Sequence, residues 1–461
     1  MVLAPLSVRL TILRDCTLDY RVCLSLDCQR TDSLYHKPML NTLSLQAVAA
    51  SRINRHIGKP LYDSYCFSQI PQTIYHLLTG EGTLGLPVDV LGNLPHRYKK
   101  VILLFVDAFG WEFYERYQEK YPFLARFQQE GVASKLTTQF PSTTASHVTT
   151  IHSGLPIEDH GVCAWFYYEP QLDRVFAPLL YSFAGEKSRE TVQKRGINPQ
   201  KLFPTSTIYQ KLQNYGIKSY CFQHQIYSHS SFSTTVCDGA QMISYKTLPE
   251  AVVNLTDLIL HESSPAYYCL YVDSIDGICH KYSPNSPQFD AEVDSFFSMM
   301  EKLFHQTLTG NLQDTLILLT ADHGQITATP ETTIYLNKIY PNLQNFLKTD
   351  AQGEAIIPGG GCRDYFLYVK EEYLEEVHQN LTEKLLGRAT VWYTEKMLEE
   401  GYFGNNPSAK LVNRLGNIII LPNQNETVWW YEKSRFEMRQ KACHGGLSPQ
   451  EMETIFLAYT E

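Results

Sequence analysis

Apolar residues along this chain come in short, continuous runs separated by stretches with helical spacing. The runs fall at 101–106, 132–138, 218–222, 266–272, 315–320, 365–369 and 417–421. Runs this short and this uniformly apolar suit strands buried on both faces. Between them, residues 111–129, 249–261, 292–308 and 371–386 carry the spacing of amphipathic helices. Strands alternating with helices predict an α/β fold, with a mainly parallel central sheet flanked by helices. No apolar run approaches the ~20 residues of a membrane helix, so no membrane partner is expected.

The texture changes along the chain. Residues 1–97 read as an N-terminal lead-in with helical stretches such as 68–78. Within it, 1–38 show no sustained period and are expected to be disordered, with Met39 a candidate start. Residues 98–335 and 412–461 read as the core domain. Residues 336–411 hold the run Gly359-Gly360-Gly361 and one α/β unit. They are expected to form a small inserted cap.

Composition narrows the function classes. Of 461 residues, 44% are hydrophobic and 19% charged, which excludes a disordered, collagen-like or disulfide-stapled chain. The net charge of −9, with no long basic run, argues against a nucleic-acid polymer as partner. A small phosphorylated substrate stays compatible, because a bound metal reverses the local field. The 11 cysteines form no C-x-x-C pair and sit in apolar text, as reduced core residues do. Arg9, Arg14 and Asp15 interrupt the first segment, a poor signal peptide. A cytoplasmic location is therefore expected.

The candidate chemistry lies where apolar runs end. In open α/β sheets ligands sit at the C-terminal ends of strands. The run 101–106 ends at Asp107, 266–272 leads into Asp273-Ser-Ile-Asp276-Gly-Ile-Cys-His280, and 315–320 leads into Asp322-His323-Gly324. Cys443-His444-Gly445-Gly446 lies near the C-terminus. One strand-end Asp is often only a helix cap. Three such ends together ask for another reason, and carboxylate plus imidazole is the ligand set of zinc or a similar ion. Asp276 and His280 are four apart and share one helix face. Asp273 is a rival to Asp276 but lacks that step and reads as a structural residue. Asp322 and His323 are adjacent, so they can share an ion only where the strand breaks, which Gly324 permits. The loop from Thr137 to Gly154 is rich in hydroxyls. It reads either as a helix cap or as a nucleophile at a helix N-terminus, where backbone N–H groups favour phosphate.

At these residues the chain resembles the alkaline phosphatase superfamily and, within it, the type I phosphodiesterase/nucleotide pyrophosphatase family. The order of motifs is the family's: Asp107, a hydroxyl nucleophile, Asp276-x-x-x-His280, Asp322-His323-Gly324, then His444-Gly445. Phe140-Pro-Ser-Thr-Thr-Ala145 matches the family's texture around the nucleophile. The resemblance implies an alkaline phosphatase-like fold and two divalent ions, zinc first and manganese second. One ion would sit on Asp276, His280 and His444, the other on Asp107, Thr144, Asp322 and His323. The family's nucleophile stands ten positions before a Gly, which selects Thr144 ahead of Gly154 over its neighbour Thr143. The implied reaction is hydrolysis of a phosphodiester or pyrophosphate through a phospho-threonine intermediate, with net retention at phosphorus. Phosphomonoester, phosphonate or sulfate-ester hydrolysis, and phosphotransfer or mutase chemistry, are the superfamily's alternatives. A metal-stabilised binding protein is disfavoured, since a structural site needs no nucleophile. One departure stands out: Trp165 occupies the position where nucleotide pyrophosphatases place an Asn. Trp165 and Arg363 are the candidate substrate contacts.

Overall fold

A computed structural model describes residues 39–461, built around a seven-stranded sheet. The expectations for residues 1–38 lie outside the described residues. The strands are β1 (Lys100–Val106), β2 (Gly131–Thr137), β3 (Lys218–His224), β4 (Gln241–Tyr245), β5 (Ala266–Val272), β6 (Thr315–Thr320) and β7 (Glu453–Tyr459). Their order across the sheet is β2-β7-β6-β1-β5-β3-β4. All run parallel except β7, which is antiparallel to both neighbours. In β1, Val101, Leu103 and Phe105 enter one core while Ile102, Leu104 and Val106 enter the other. Both faces are covered, which is why the strand reads as an unbroken apolar run rather than an alternating one.

Register positions the site. Val106 pairs with Val272 and Phe105 with Thr320, so β6, β1 and β5 finish level with one another. Three adjacent strand ends at the middle of the sheet therefore deliver Asp107, Asp322-His323 and the segment carrying Asp276 to one edge. Two helices matter there: α1 (Thr144–Ser153) and α2 (Ser274–Tyr282).

A second, four-stranded antiparallel sheet joins Gly359–Gly360, Tyr365–Leu367, Ile418–Pro422 and Ala389–Tyr393 in that spatial order. The helix Leu374–Lys384 covers one face, where Val377 and Leu381 meet Ile418 and Ile420. On the other face Phe366, Ile419 and Leu421 are part of the main core. The apolar run at 417–421, expected in the core domain, thus belongs to the small sheet. Its two-sided burial gives it the same sequence texture as a main-sheet strand, so pattern alone cannot assign it. The eight described cysteines are buried and unpaired. Among the described residues no helix is long and apolar enough to cross a membrane.

Candidate active site

The helix α1 begins at Thr144 although its sequence, Thr-Ala-Ser-His-Val-Thr-Thr-Ile-His-Ser, is poor in strong helix formers. Burial overrides propensity: all its residues from Ala145 to Ser153 are buried, with Ala145, Val148 and Ile151 in the main core. Thr149 and Ser153 donate their hydroxyls back to the carbonyls of Ala145 and Thr149, at 2.7 Å each, so neither is left unsatisfied. No side chain caps the N-terminus. The first amides of the helix are therefore open to an anion.

The three neighbouring hydroxyls have different fates. Ser142 donates to the Gly446 carbonyl at 2.8 Å. Thr143 contacts the Cys163 carbonyl and Ser146 Oγ, both at 3.3 Å. Thr144 Oγ1 alone turns to the cluster, 3.1 Å from His323 Nε2. The hydroxyl favoured by the spacing is the one the fold presents.

The six sequence-selected Asp and His residues converge. His323 Nε2 has Asp107 Oδ1 at 3.4 Å and Asp322 Oδ2 at 3.3 Å, besides Thr144. His280 Nε2 lies 3.3 Å and His444 Nε2 3.9 Å from Asp276 Oδ1. Donor atoms of Asp107, Asp322 and His323 lie within 4.8 Å of one another, as do those of Asp276, His323 and His444. His323 and His444 stack with ring centroids 3.6 Å apart, linking the two halves. Asp273 instead stands at the position before α2, with no capping hydrogen bond from its side chain.

Each imidazole is aimed by its far nitrogen. Nδ1 of His280 faces the Ala442 carbonyl at 2.7 Å, that of His323 the Gly324 carbonyl at 3.1 Å, and that of His444 the Ser142 carbonyl at 2.9 Å. A carbonyl only accepts, so Nδ1 carries the proton and Nε2 presents its lone pair inward. Gly324 serves this packing by proximity rather than by an unusual φ: a Cβ there would lie 2.1 Å from the Gln450 carbonyl oxygen. Gly445, after His444, has a φ of +119° and a Cβ there would lie 2.4 Å from Asp364 Oδ1, so that turn also requires glycine.

The donor set fits divalent ions. Burial, reinforced by the charges of Asp322 and Asp276, lifts the Asp107 carboxyl well above the usual carboxylate range. Burial also pushes Asp322 to about 7 and raises Asp276. The same burial, with neighbouring imidazoles, holds His323 well below its usual value and His444 down at about 3. His323 and His444 thus stay neutral and cannot compensate the carboxylates. Asp107 Oδ1 and Asp322 Oδ2 are buried with no hydrogen-bond partner. Carboxylate oxygens and imidazole nitrogens converging in this way are what a cation satisfies.

Two cavities meet at this cluster. One of about 230 Å³ opens past Thr144, His280, His444 and Trp429. Another of about 250 Å³ runs from Asp107 and Thr144 towards Tyr227 and Phe232. Thr144, Trp165 and Asp276 line both.

The family model for "Type I phosphodiesterase / nucleotide pyrophosphatase" matches residues 101–446. The chain belongs to this family. Human ectonucleotide pyrophosphatase/phosphodiesterase family member 5 is 22% identical over 377 residues, covering 81% of this chain and 72% of that protein. Mouse family member 3 is 23% identical over 284 residues, 60% of this chain but only 30% of that longer protein. Among solved structures, murine ectonucleotide pyrophosphatase/phosphodiesterase 5 superposes with a TM-score of 0.59 at 19% identity, over 78% of this chain and 88% of that one. A phosphonoacetate hydrolase from Sinorhizobium meliloti 1021, in complex with phosphonoacetate, superposes with a TM-score of 0.55 at 16% identity, over 78% and 89%. The family's fold is the alkaline phosphatase-like one, and the family is metal-dependent.

Against the family's motif set, the two substrate candidates separate. Trp165 is 41% exposed and stands on the wall shared by both cavities. Its neighbours Phe166 and Tyr167 pack inward. Arg363 does not reach the site. It is buried and donates through Nε and Nη2 to Glu451 at 3.0 and 2.9 Å, and through Nη1 to the carbonyls of Asn423 and Glu426. Glu451 in turn accepts from the Gly446 amide at 2.9 Å and from Ser448. The pair therefore braces the turn after His444. Burial of a bidentate Arg–Glu pair explains the arginine without a phosphate. Sequence reasoning also passed over Tyr271, whose hydroxyl donates to Asp107 Oδ2, and Gln325, whose amide donates to Asp276. Tyr271 lies next to the end of β5, and Gln325 directly follows Asp322-His323-Gly324, so position was the available signal.

Removing one partner of the buried pair should expose its structural role. Arg363→Met should cost about 3–5 kcal/mol in denaturant unfolding. The double variant with Glu451→Gln should recover part of that loss. A phosphate-binding arginine would instead raise KM at unchanged stability.

Proposed function

We propose that this chain hydrolyses a phosphodiester or pyrophosphate bond in a small phosphorylated substrate, with Thr144 as nucleophile. The observation that carries the reading is Thr144 Oγ1, 3.1 Å from His323 Nε2, at an uncapped helix start where two cavities meet. Asp276, His280 and His444 would hold one divalent ion, and Asp107, Asp322 and His323, with Thr144, a second. Zinc suits the mixed Asp/His set best and manganese next. When bound, such ions lower the pKa of a hydroxyl and offset the charge on a transferring phosphoryl group.

The chain's own residues do the rest. Thr144 Oγ1 forms a bond to phosphorus as the bond to the leaving oxygen breaks on the opposite side, giving phospho-threonine. The first amides of α1 hold the phosphoryl oxygens. Water then attacks phosphorus from the vacated side and frees Thr144. Two inversions leave net retention. The stacked His323 and His444 rings, pinned through Nδ1, keep the lone pairs in place across both steps. Phosphonate cleavage is the second reading, favoured by the likeness to a phosphonoacetate hydrolase.

The protein should purify with close to two divalent ions per chain by elemental analysis. Chelation should abolish turnover of 4-nitrophenyl esters and lower Tm, since ions that bind only the folded state stabilise it. A fully active metal-free preparation would end the proposal.

Variants at the two threonines test the nucleophile. Thr144→Ala should reduce turnover of an activated diester by at least about 10³-fold at normal metal content. Thr144→Ser should keep measurable activity, because the hydroxyl survives. Thr143→Ala should be much milder, since that hydroxyl is engaged with Cys163 and Ser146. A dead Thr143→Ala beside a near-normal Thr144→Ala would reverse the assignment.

A further inference from the structure

The cavity of about 250 Å³ carries polar groups that the proposed chemistry leaves unused. Part of its wall is apolar, formed by Leu179, Leu180 and Phe232. Arg189 also lines it and is half-buried. Its guanidinium donates through Nη2 to the Leu179 carbonyl at 2.8 Å, and among the described residues it forms no ion pair. The adjacent Glu190 is engaged elsewhere, accepting from the Ser231 amide and hydroxyl. Two further groups on the same wall are buried with no partner: Tyr227 Oη and Gln223 Oε1. Asp273, a carboxylate outside the ligand cluster, also lines this cavity.

A cation in a cleft with apolar walls interacts more strongly than one in water, because the local dielectric is low. Burial already draws the Arg189 guanidinium below its usual value, so the site gains when an anion joins it. The planar fork of Arg matches the two oxygens of a carboxylate or phosphate.

We propose that this cavity receives the non-leaving part of the substrate, and that Arg189 selects substrates bearing a second anionic group there, a carboxylate or a phosphate. The proposal rests on Thr144 being the reacting residue, since the cavity's meaning comes from its position beside that hydroxyl. The Tyr227 hydroxyl adds a donor that orients the same part.

The test uses the whole chain and three esters: 4-nitrophenyl phenyl phosphate, its 4-carboxyphenyl counterpart and its 4-phosphonophenyl counterpart. The last carries its second anion on carbon, so only one ester bond type releases nitrophenolate. Wild type should prefer at least one charged ester over the neutral one by about tenfold or more in kcat/KM, the scale of one charge-assisted hydrogen bond. Which charged ester gains more separates carboxylate from phosphate recognition. In Arg189→Met that ratio should fall to about one, and Arg189→Lys should restore part of it. A wild-type ratio near one overturns the proposal even if the variants fail to fold. So does a ratio that persists in Arg189→Met. If no ester is turned over at all, the reading of Thr144 has failed and this proposal falls with it.

Discussion

Three carboxylates and three imidazoles converge at the centre of this fold, Asp107, Asp322 and His323 buried and Asp276, His280 and His444 part-buried, with two carboxylate oxygens left unsatisfied. Every imidazole spends Nδ1 on a backbone carbonyl, which fixes the ring's orientation with Nε2 facing inward. Burial at the same time opposes ionisation of the carboxylates. The conflict is local, but the segments that create it are far apart in sequence. The Lys441 amide bonds the His280 carbonyl, His280 Nδ1 bonds Ala442, Cys443 pairs with Ile326, and His444 bonds Ser142. A divalent ion would act as a cross-link between strand ends, the hydroxyl loop and the C-terminal segment. Folding and metal affinity then share one free energy.

Much of this was legible in the sequence, for physical reasons. Strands covered on both faces announce themselves as apolar runs, and residues at their C-terminal ends are exposed to chemistry by the topology itself. Asp107, Asp322 and His323 follow directly from that. The four-residue step between Asp276 and His280 reports a helix face, and α2 places the two side chains 3.3 Å apart. Other features are decided by tertiary context alone. Nothing local distinguishes 417–421 from a main-sheet strand, since both of its faces are covered in the small sheet. The edge strand β4 and the C-terminal β7 are not among the predicted runs. Arg363 looks like a phosphate ligand beside a glycine run until Glu451, 88 residues away, is seen to occupy its fork. Gly324 was expected for its conformational freedom, whereas proximity to Gln450 is what excludes a side chain there.

The two cavities bear on which ester fits. In-line displacement by Thr144 would put the leaving group across phosphorus from the hydroxyl and any second substituent beside that axis. A phosphomonoester brings one organic substituent and leaves the second space to water. A diester or pyrophosphate brings two. Thr144 stands where spaces of about 230 and 250 Å³ meet, and Trp165 forms part of both walls. Their linings differ: one runs past His280, His444 and Trp429, the other past Leu179, Phe232, Arg189 and Tyr227. Under the proposed reaction, unequal linings beside Thr144 would distinguish the two substituents of a single phosphorus. On the proposed reading that asymmetry would suit an unsymmetrical diester, one arm of which remains on phosphorus while the other departs.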